Sequence, residues 1–214
     1  YESAGWKVVY VLMEPAGTQD EIDDDFKLLN EMRGLHFDLA NNHDVVGGGG
    51  VDSSPSYEGP YKVLYDAVDN DVLFGERYGL VITNGDLRRG IDSQFDLGAA
   101  FANLSENNSV ADPYAGDSWA ERVENTVDID GDKIKHIRIE VRVDASTSIE
   151  TSRVVQWFED ELGDEDDSGK MRSELSGIAN VYVSGDLVAL QNVLDGLNSS
   201  QLSSTLISFI VSFV

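Results

Sequence analysis

Apolar positions recur with two different periods along this chain, and together they predict two similar strand–helix–strand units. The first unit opens with a mostly apolar run at residues 7–13, which predicts a strand. Thr18-Gln-Asp-Glu21 has the spacing of a capping box, so it predicts a helix over residues 20–40. The buried face of this helix would consist of Ile22, Phe26, Leu29, Met32, Leu35 and Leu39. Residues 45–51 are predicted to return as a strand, which the glycines at 47–50 weaken.

The second unit repeats this plan. Residues 134–143 alternate between apolar and polar, which predicts a strand buried on one face. Thr147-Ser-Ile-Glu150 is a second capping box, and it predicts a helix over residues 148–162. Its core-facing side chains would be Val154, Val155, Phe158 and Leu162. A solvated acidic loop at 164–169 and a closing strand at 178–183 complete the unit.

Two such units predict an α+β fold of the split βαβ type, a ferredoxin-like sandwich formed by residues 5–52 and 123–200. Both helices are expected on the same face of one sheet. Residues 123–129 and the turn at Asp130-Gly131 predict a hairpin with the strand that starts at Lys133.

Residues 53–122 are too long for a loop of a compact fold, and we interpret them as an inserted, partly helical subdomain. Two short helices are predicted within it. One is marked by Tyr61, Leu64, Tyr65 and Val68, and the other covers residues 95–104.

The end of the chain differs from the rest. A helix is predicted over residues 187–200, and residues 201–214 are apolar and carry no charge. These 14 residues would span about 21 Å as a helix, against about 30 Å for the hydrocarbon core of a bilayer. We interpret 201–214 as the start of a truncated transmembrane helix, and the chain, which begins without Met, as an excised loop of a larger membrane protein.

The alternative is a C-terminal helix docked on a soluble core. Serines recur every fourth residue through the segment, at Ser200, Ser204, Ser208 and Ser212. Such a stripe faces water in a soluble amphipathic helix, and it serves as a close-packing seam in a membrane helix. The lack of charge favours the membrane interpretation. Exposed in an excised fragment, the segment is expected to self-associate into a homo-oligomer.

The charge excludes some partners and indicates the environment. Forty acidic residues against 15 basic ones give a net charge of −25, which repels nucleic acid and anionic lipid headgroups. Dispersed acid with few lysines is typical of a protein solvated in concentrated salt, so an extremely halophilic source is predicted. The chain has no cysteine, which excludes disulfides and thiolate chemistry.

Neither the acidic residues nor the histidines predict a metal site. Counted as a calcium loop from Asp128, the sixth and twelfth positions hold Lys133 and Ile139 in place of Gly and Glu, so a hairpin turn explains residues 128–132 better. The acidic run at 164–167 is expected to be solvated. The histidines, which show no ligand spacing, are His36, His43 and His136.

No residue is predicted to be catalytic or to bind a cofactor. The glycines at 47–50 lack the pattern of a phosphate-binding loop, and no nucleophile motif is present. Three glycosylation-type triplets, at Asn103-Leu-Ser105, Asn107-Asn-Ser109 and Asn198-Ser-Ser200, are compatible with an external location without establishing it.

The order of elements resembles the large extracytoplasmic loop of resistance–nodulation–division (RND) transporters, especially their MmpL-like predicted exporters. Val181-Tyr-Val-Ser-Gly-Asp186, the helical residues 188–195 and the polar step at 199–203 resemble the end of that loop. Residues 127–134 are similar to the hairpin before its second βαβ unit. The resemblance covers residues 5–52 and 123–214, and it has no counterpart for the insertion.

The resemblance implies that this domain lies on the extracellular face of the cell membrane. The source would be a halophilic archaeon. The resemblance also implies ion-driven export of lipids or other amphiphiles, with this domain forming part of the substrate path and contacting the remaining transmembrane and loop domains. The coupling carboxylates of the family lie in its membrane helices, so the domain would have no catalysis of its own. A free-standing ferredoxin-like binding protein of a halophile, or an enzyme whose site the sequence does not reveal, remain alternatives.

The charge leads to a test in salt. Because repulsion among the acidic side chains opposes compaction in dilute buffer, the melting temperature should rise steeply between low and molar KCl. Thermal unfolding followed by circular dichroism measures this. A melting temperature independent of salt would contradict the halophilic interpretation.

Overall fold

A computed structural model describes residues 6–50, 54–91, 94–111, 116–189 and 191. Its helices are α1 (Asp25–Asn41), α2 (Pro60–Asn70), α3 (Val72–Tyr78), α4 (Leu97–Ser105), α5 (Trp119–Thr126), α6 (Ser148–Leu162) and α7 (Met171–Glu174). Its strands are β1 (Trp6–Pro15), β2 (Tyr57–Glu58), β3 (Leu80–Thr83), β4 (Asp86–Arg89), β5 (Val127–Asp130), β6 (Lys133–Asp144) and β7 (Ala179–Ser184). Residues 186–189 and 191 are also helical. The fold is therefore α+β.

The predicted end of the chain is only partly described. The helix predicted from residue 187 begins at Asp186, but most of it and all of 201–214 lie outside the described residues. Within the described ranges, every helix is too short or too polar to cross a membrane.

The main sheet is antiparallel and is centred on β1. This strand pairs with β6 on one side and with β7 on the other, with Val11 opposite both Ile139 and Val183. The free edge of β6 is shared by two short strands, since β5 pairs near its start and β2 near its end. The strands predicted at 7–13, 134–143 and 178–183 are thus confirmed as members of one sheet.

One face of this sheet is buried and the other is open. Alternate residues of β1 and β6 are almost completely buried: Val9, Val11, Met13, Ile137, Ile139, Val141 and Val143. They share one core with the apolar faces of α1 and α6, so both helices lie on the same face, as predicted. Arg153 of α6 also bonds Asp44, which directly follows α1.

The second capping box is confirmed, and the first is wrong. Thr147 and Glu150 cap α6 reciprocally. By contrast, α1 begins only at Asp25. Asp24 caps this helix, because its side chain accepts a hydrogen bond from the Lys27 backbone N–H.

The cause of the late start of α1 is a long-range contact. The Ile22 backbone N–H donates to the Ile134 carbonyl at 2.8 Å, which holds residues before α1 against β6. Ile22 is still buried, as predicted, but outside any helix. Phe26 was predicted in the core and is 48% exposed, while Leu28 is buried in its place.

The strand predicted at 45–51 does not form. Val45 makes a single bridge to Val143 and is buried, but the backbone then turns at Gly47, whose φ is +75°. A Cβ at Gly48 would lie 2.2 Å from the Asn42 carbonyl oxygen, so this tight turn requires glycine. Residue 51 is outside the described residues.

The insertion contains both predicted helices, which are α2 and α4. The sequence interpretation missed α3 and the β3–β4 hairpin, although its Asn84-Gly85 turn is a recognised hairpin signal. The hairpin of β5 and β6 is confirmed, but residues 123–126 belong to α5 rather than to the strand. Ser118 and Glu121 form the capping box of α5, and their spacing was a sequence signal for the start of this helix.

A buried carboxylate joins the insertion to α1. Asp86 at the start of β4 accepts two hydrogen bonds of 2.6 Å from Arg33 of α1, one from Arg88 and one from the Tyr61 hydroxyl of α2. That hydroxyl in turn accepts from the Leu87 backbone at 3.0 Å. Burial raises the pKa of Asp86, but the arginine hydrogen bonds outweigh it and hold the pKa below its usual value. The insertion is thus part of the same core as the sheet.

A second carboxylate joins two helix starts. Asp25, in the first turn of α1, accepts from the Leu97 backbone N–H, the first of α4, at 2.7 Å. Burial is the largest cause that raises the pKa of Asp25 to about 6, and neighbouring carboxylates add to it.

This raised pKa predicts a pH dependence. Because the folded state holds the Asp25 proton up to about pH 6 while the unfolded state releases it near the ordinary carboxyl pKa of 3.8, stability should fall as pH rises through this window. Asp25→Asn keeps an acceptor for Leu97 and removes the charge. The free energy of unfolding at pH 7 should rise by about 1–3 kcal/mol, with little change at pH 4.

Urea unfolding in molar KCl at both pH values measures the effect. Asp166→Asn, in the exposed acidic loop, removes one charge without burial and serves as the matched control. Equal effects of the two substitutions at pH 7 would contradict the role assigned to Asp25.

Candidate functional site on the open face of the sheet

The face of the sheet opposite α1 and α6 carries a mixed set of side chains. They are Val8, Tyr10, Leu12, His136, Arg138, Glu140, Arg142 and Tyr182. The register places Tyr10 opposite Glu140, and Leu12 opposite Arg138, so an apolar row on β1 runs beside a charged row on β6. Paired residues of antiparallel strands project to the same side, so these rows are in reach of one another.

Two adjoining grooves lie along β6, near the gap between β2 and β5. Their volumes are about 550 Å³ and about 270 Å³, and Asn125, Thr126 and Arg138 line both. The larger has the size of a small-molecule site, for which about 300–1,000 Å³ is usual. It is lined by Ser54, Pro55, Ser56, Tyr57, Glu58, Lys62, Asp117, Arg122, Asn125, Thr126, Arg138, Glu140 and Arg142. The lining is mainly polar, so recognition there depends on charge and hydrogen bonds.

Arg122 of α5 is the most buried charge in the larger groove. Its side chain is 7% exposed, and its Nε donates to Glu58 at 2.8 Å. Nη2 lies 2.8 Å from a carboxylate oxygen of Asp66 but without hydrogen-bond geometry, so this contact is an ion pair alone. The guanidinium also lies 5.5 Å from the ring centre of Trp119. Burial lowers the pKa of Arg122, but Glu58 and Asp66 outweigh it and raise the pKa on balance.

Arg122 is needed because two glutamates face each other across the groove. Glu58 of β2 is directly opposite Glu140 of β6, an arrangement in which like charges repel. Arg122 bonds Glu58, and the Lys62 ammonium lies 3.5 Å from the same carboxylate. These two cations therefore stabilise the closure of the sheet edge by β2.

Two other arginines of the groove have no such partner. Among the residues that the structure describes, no carboxylate lies within ion-pair distance of Arg138 or Arg142. Arg138 lies over the ring of Tyr10, 5.8 Å from its centre, and both arginines are exposed. Both lie on the same face of β6, with Glu140 between them. They can donate to the oxygen atoms of a carboxylate or phosphate group.

The smaller groove contains more apolar surface and two polar pairs. Leu12 contributes a partly exposed side chain to its lining, whereas the side chains of Met13 and Ile137 belong to the buried face of the sheet. His136 Nδ1 lies 2.9 Å from Asp128, and the Tyr182 hydroxyl donates to Glu14 at 3.0 Å. The His136 and Asp128 side chains are both more than half exposed, so water solvates the pair.

The residues that the sequence offered as possible metal ligands are scattered in the structure. The turn at 130–131 forms the predicted hairpin, with Gly131 at a φ of +67°, and His136 lies on the polar face of its strand, as predicted. His36 lies in α1, where its Nδ1 contacts the Tyr57 hydroxyl at 2.8 Å, and His43 follows that helix. Within the described ranges no three His, Asp or Glu side chains are placed to hold a metal ion.

The sequence interpretation did not anticipate the grooves. Alternation along β6 was the available signal for its outward arginines, since residues 138 and 142 share the polar face. Arg122 and Asn125 had no such signal, because only the folded chain brings α5 beside β6. Comparison of the chain with protein-family models, with curated proteins and with solved structures finds no match.

Arg122 can be tested by an apolar replacement of similar length. Arg122→Met leaves Glu58 and Asp66 without their buried countercharge, so we expect a loss of about 1–3 kcal/mol in the free energy of unfolding, less than for a fully buried pair because both carboxylates are partly solvated. Urea unfolding in molar KCl measures it.

A second variant separates charge from packing. Adding Glu58→Gln and Asp66→Asn to Arg122→Met removes the uncompensated charges and should restore part of the loss. If the triple variant is no more stable than the single one, Arg122 acts through packing and not through its charge.

Proposed function

We propose that this chain is an extracytoplasmic loop domain of an ion-driven exporter of the RND superfamily, and that the open face of its sheet forms part of the substrate path. The domain has no catalysis of its own in this proposal. Its partners are the remaining transmembrane and loop domains of the same transporter, on the extracellular face of the cell membrane.

The strand order supports the finer fold assignment within this proposal. Read across the sheet, the order is β7, β1, β6 and then β5 with β2, all antiparallel. A split βαβ sandwich has this arrangement, with each helix connecting two parallel strands that flank a third. Here α6 connects β6 to β7 across β1. The first connection, from β1 through α1 to β2, is less regular, because β2 is short and a long segment separates it from β5.

The observation that carries the proposal is the one-sided packing. Since both long helices cover the same face, the other face keeps a continuous surface with two adjoining grooves. One groove is charged, and the partly exposed apolar row of β1, which consists of Val8, Tyr10 and Leu12, runs beside it. A surface that offers charge beside apolar area suits a passing amphiphile. The strongly acidic exterior also suits a domain bathed in concentrated salt.

The lack of cysteine allows a clean test in the full-length parent transporter, with cysteines outside this domain replaced. Asn125 is exposed and lines both grooves, so Asn125→Cys introduces a single reactive thiol there. A membrane-impermeant maleimide applied to intact cells should label it. The bulky label should then obstruct the path and increase cellular retention of a fluorescent amphiphilic dye.

Ser176→Cys is the matched control, because Ser176 is exposed in the turn before β7 and lines neither groove. It should be labelled equally well without an effect on dye retention. Labelling of Asn125→Cys only after cell lysis would refute the external location. Labelling without any change in retention would refute the role of the open face in transport.

A further inference from the structure

Two glycosylation-type triplets lie close together at the end of α4, and the structure distinguishes them. Asn103-Leu-Ser105 is within α4, and Asn107-Asn-Ser109 is in the loop that follows it. The third triplet, at 198–200, lies outside the described residues. A transferase needs an accessible asparagine with its hydroxyl residue two positions later, so the local backbone decides which triplet is usable.

The Asn107 triplet forms a closed polar turn. The carboxamide oxygen of Asn107 accepts hydrogen bonds from the Ser109 backbone at 3.0 Å and from the Ser109 hydroxyl at 2.7 Å. Asn107 is half-buried, and Asn108 and Ser109 are exposed. The turn is held in place because the Asn107 and Ser109 carbonyls accept from the backbone at the start of α5. The hydroxyl and the acceptor carboxamide are therefore already in contact on the surface.

The Asn103 triplet is arranged differently. Its middle residue, Leu104, is 2% exposed and belongs to the core. The Ser105 hydroxyl donates to the Ala102 carbonyl at 2.8 Å and does not contact the carboxamide of Asn103 in this conformation. Presenting this triplet to an enzyme would require α4 to unwind and Leu104 to leave the core.

We infer that Asn107 is a site of N-linked glycosylation and that Asn103 in the folded domain is not. The glycosyl donor is of the class of lipid-linked sugar phosphates. The Asn107 amide nitrogen attacks the anomeric carbon, so that a new N–C bond forms while the C–O bond to the phosphate breaks. The phosphate leaves with the bonding electron pair, and the amide proton passes to a base of the transferase.

The inference rests on the extracytoplasmic location given in the proposed function. It is tested on the full-length protein isolated from the membranes of a halophilic host that attaches N-glycans to its surface proteins. Intact mass and the mass of the tryptic peptide that covers residues 90–122 report the glycan. Asn107→Gln and Ser109→Ala should each abolish the added mass, and Asn103→Gln should leave it unchanged.

Maleimide labelling of Ser176→Cys on the same intact cells distinguishes the two proposals. If the thiol is labelled and no glycan is present, the glycosylation site is refuted while the external location stands. If neither is observed, both are refuted. A glycan that survives Asn107→Gln and disappears with Asn103→Gln overturns the assignment, whatever the protein exports.

Discussion

The pairing of β1 with β6 is the interaction on which the rest of this structure depends. Eight residue pairs join these strands, from Trp6 opposite Asp144 to Met13 opposite Ile137. The register places the apolar residues of both strands on one face, and a shift of one residue would turn all of them to the other. That apolar face must be covered, and α1 and α6 cover it. The opposite face remains open as a consequence, and the candidate site lies there.

The acidic composition restricts how this fold can be stabilised. Buried carboxylates need partners, and the chain has few cations to supply them. Several of these cations bind a carboxylate that is at least partly removed from water. Arg33 binds Asp86, and Arg122 binds Glu58. The first contact joins β4 to α1, and the second joins α5 to β2. The arginines therefore act as long-range connections, while most acids are left to the solvent.

The candidate site is produced by the same constraint. The insertion brings α5 to the edge of β6, where Arg122 offsets the repulsion between Glu58 and Glu140. The grooves are the space left where β2 and β5 fail to meet along this edge. Arg138 and Arg142 project into that space from the polar side of β6.

The sequence by itself determined the elements whose signals are local. The alternation in β6, the capping box of α6 and the Asp130-Gly131 turn each involve residues within a few positions of one another, so a window of the chain contains the whole physical cause. The strands β1 and β7 and the helices α2 and α4 were predictable for the same reason.

Tertiary structure decided the features whose partners are distant in the chain. Thr18 and Glu21 have the spacing of a cap, but a hydrogen bond from Ile22 to Ile134 delays the helix until Asp25. In the larger groove Arg122 reaches Glu58, 64 positions away. No local window contains both members of such a pair, so only the folded chain reveals their interaction.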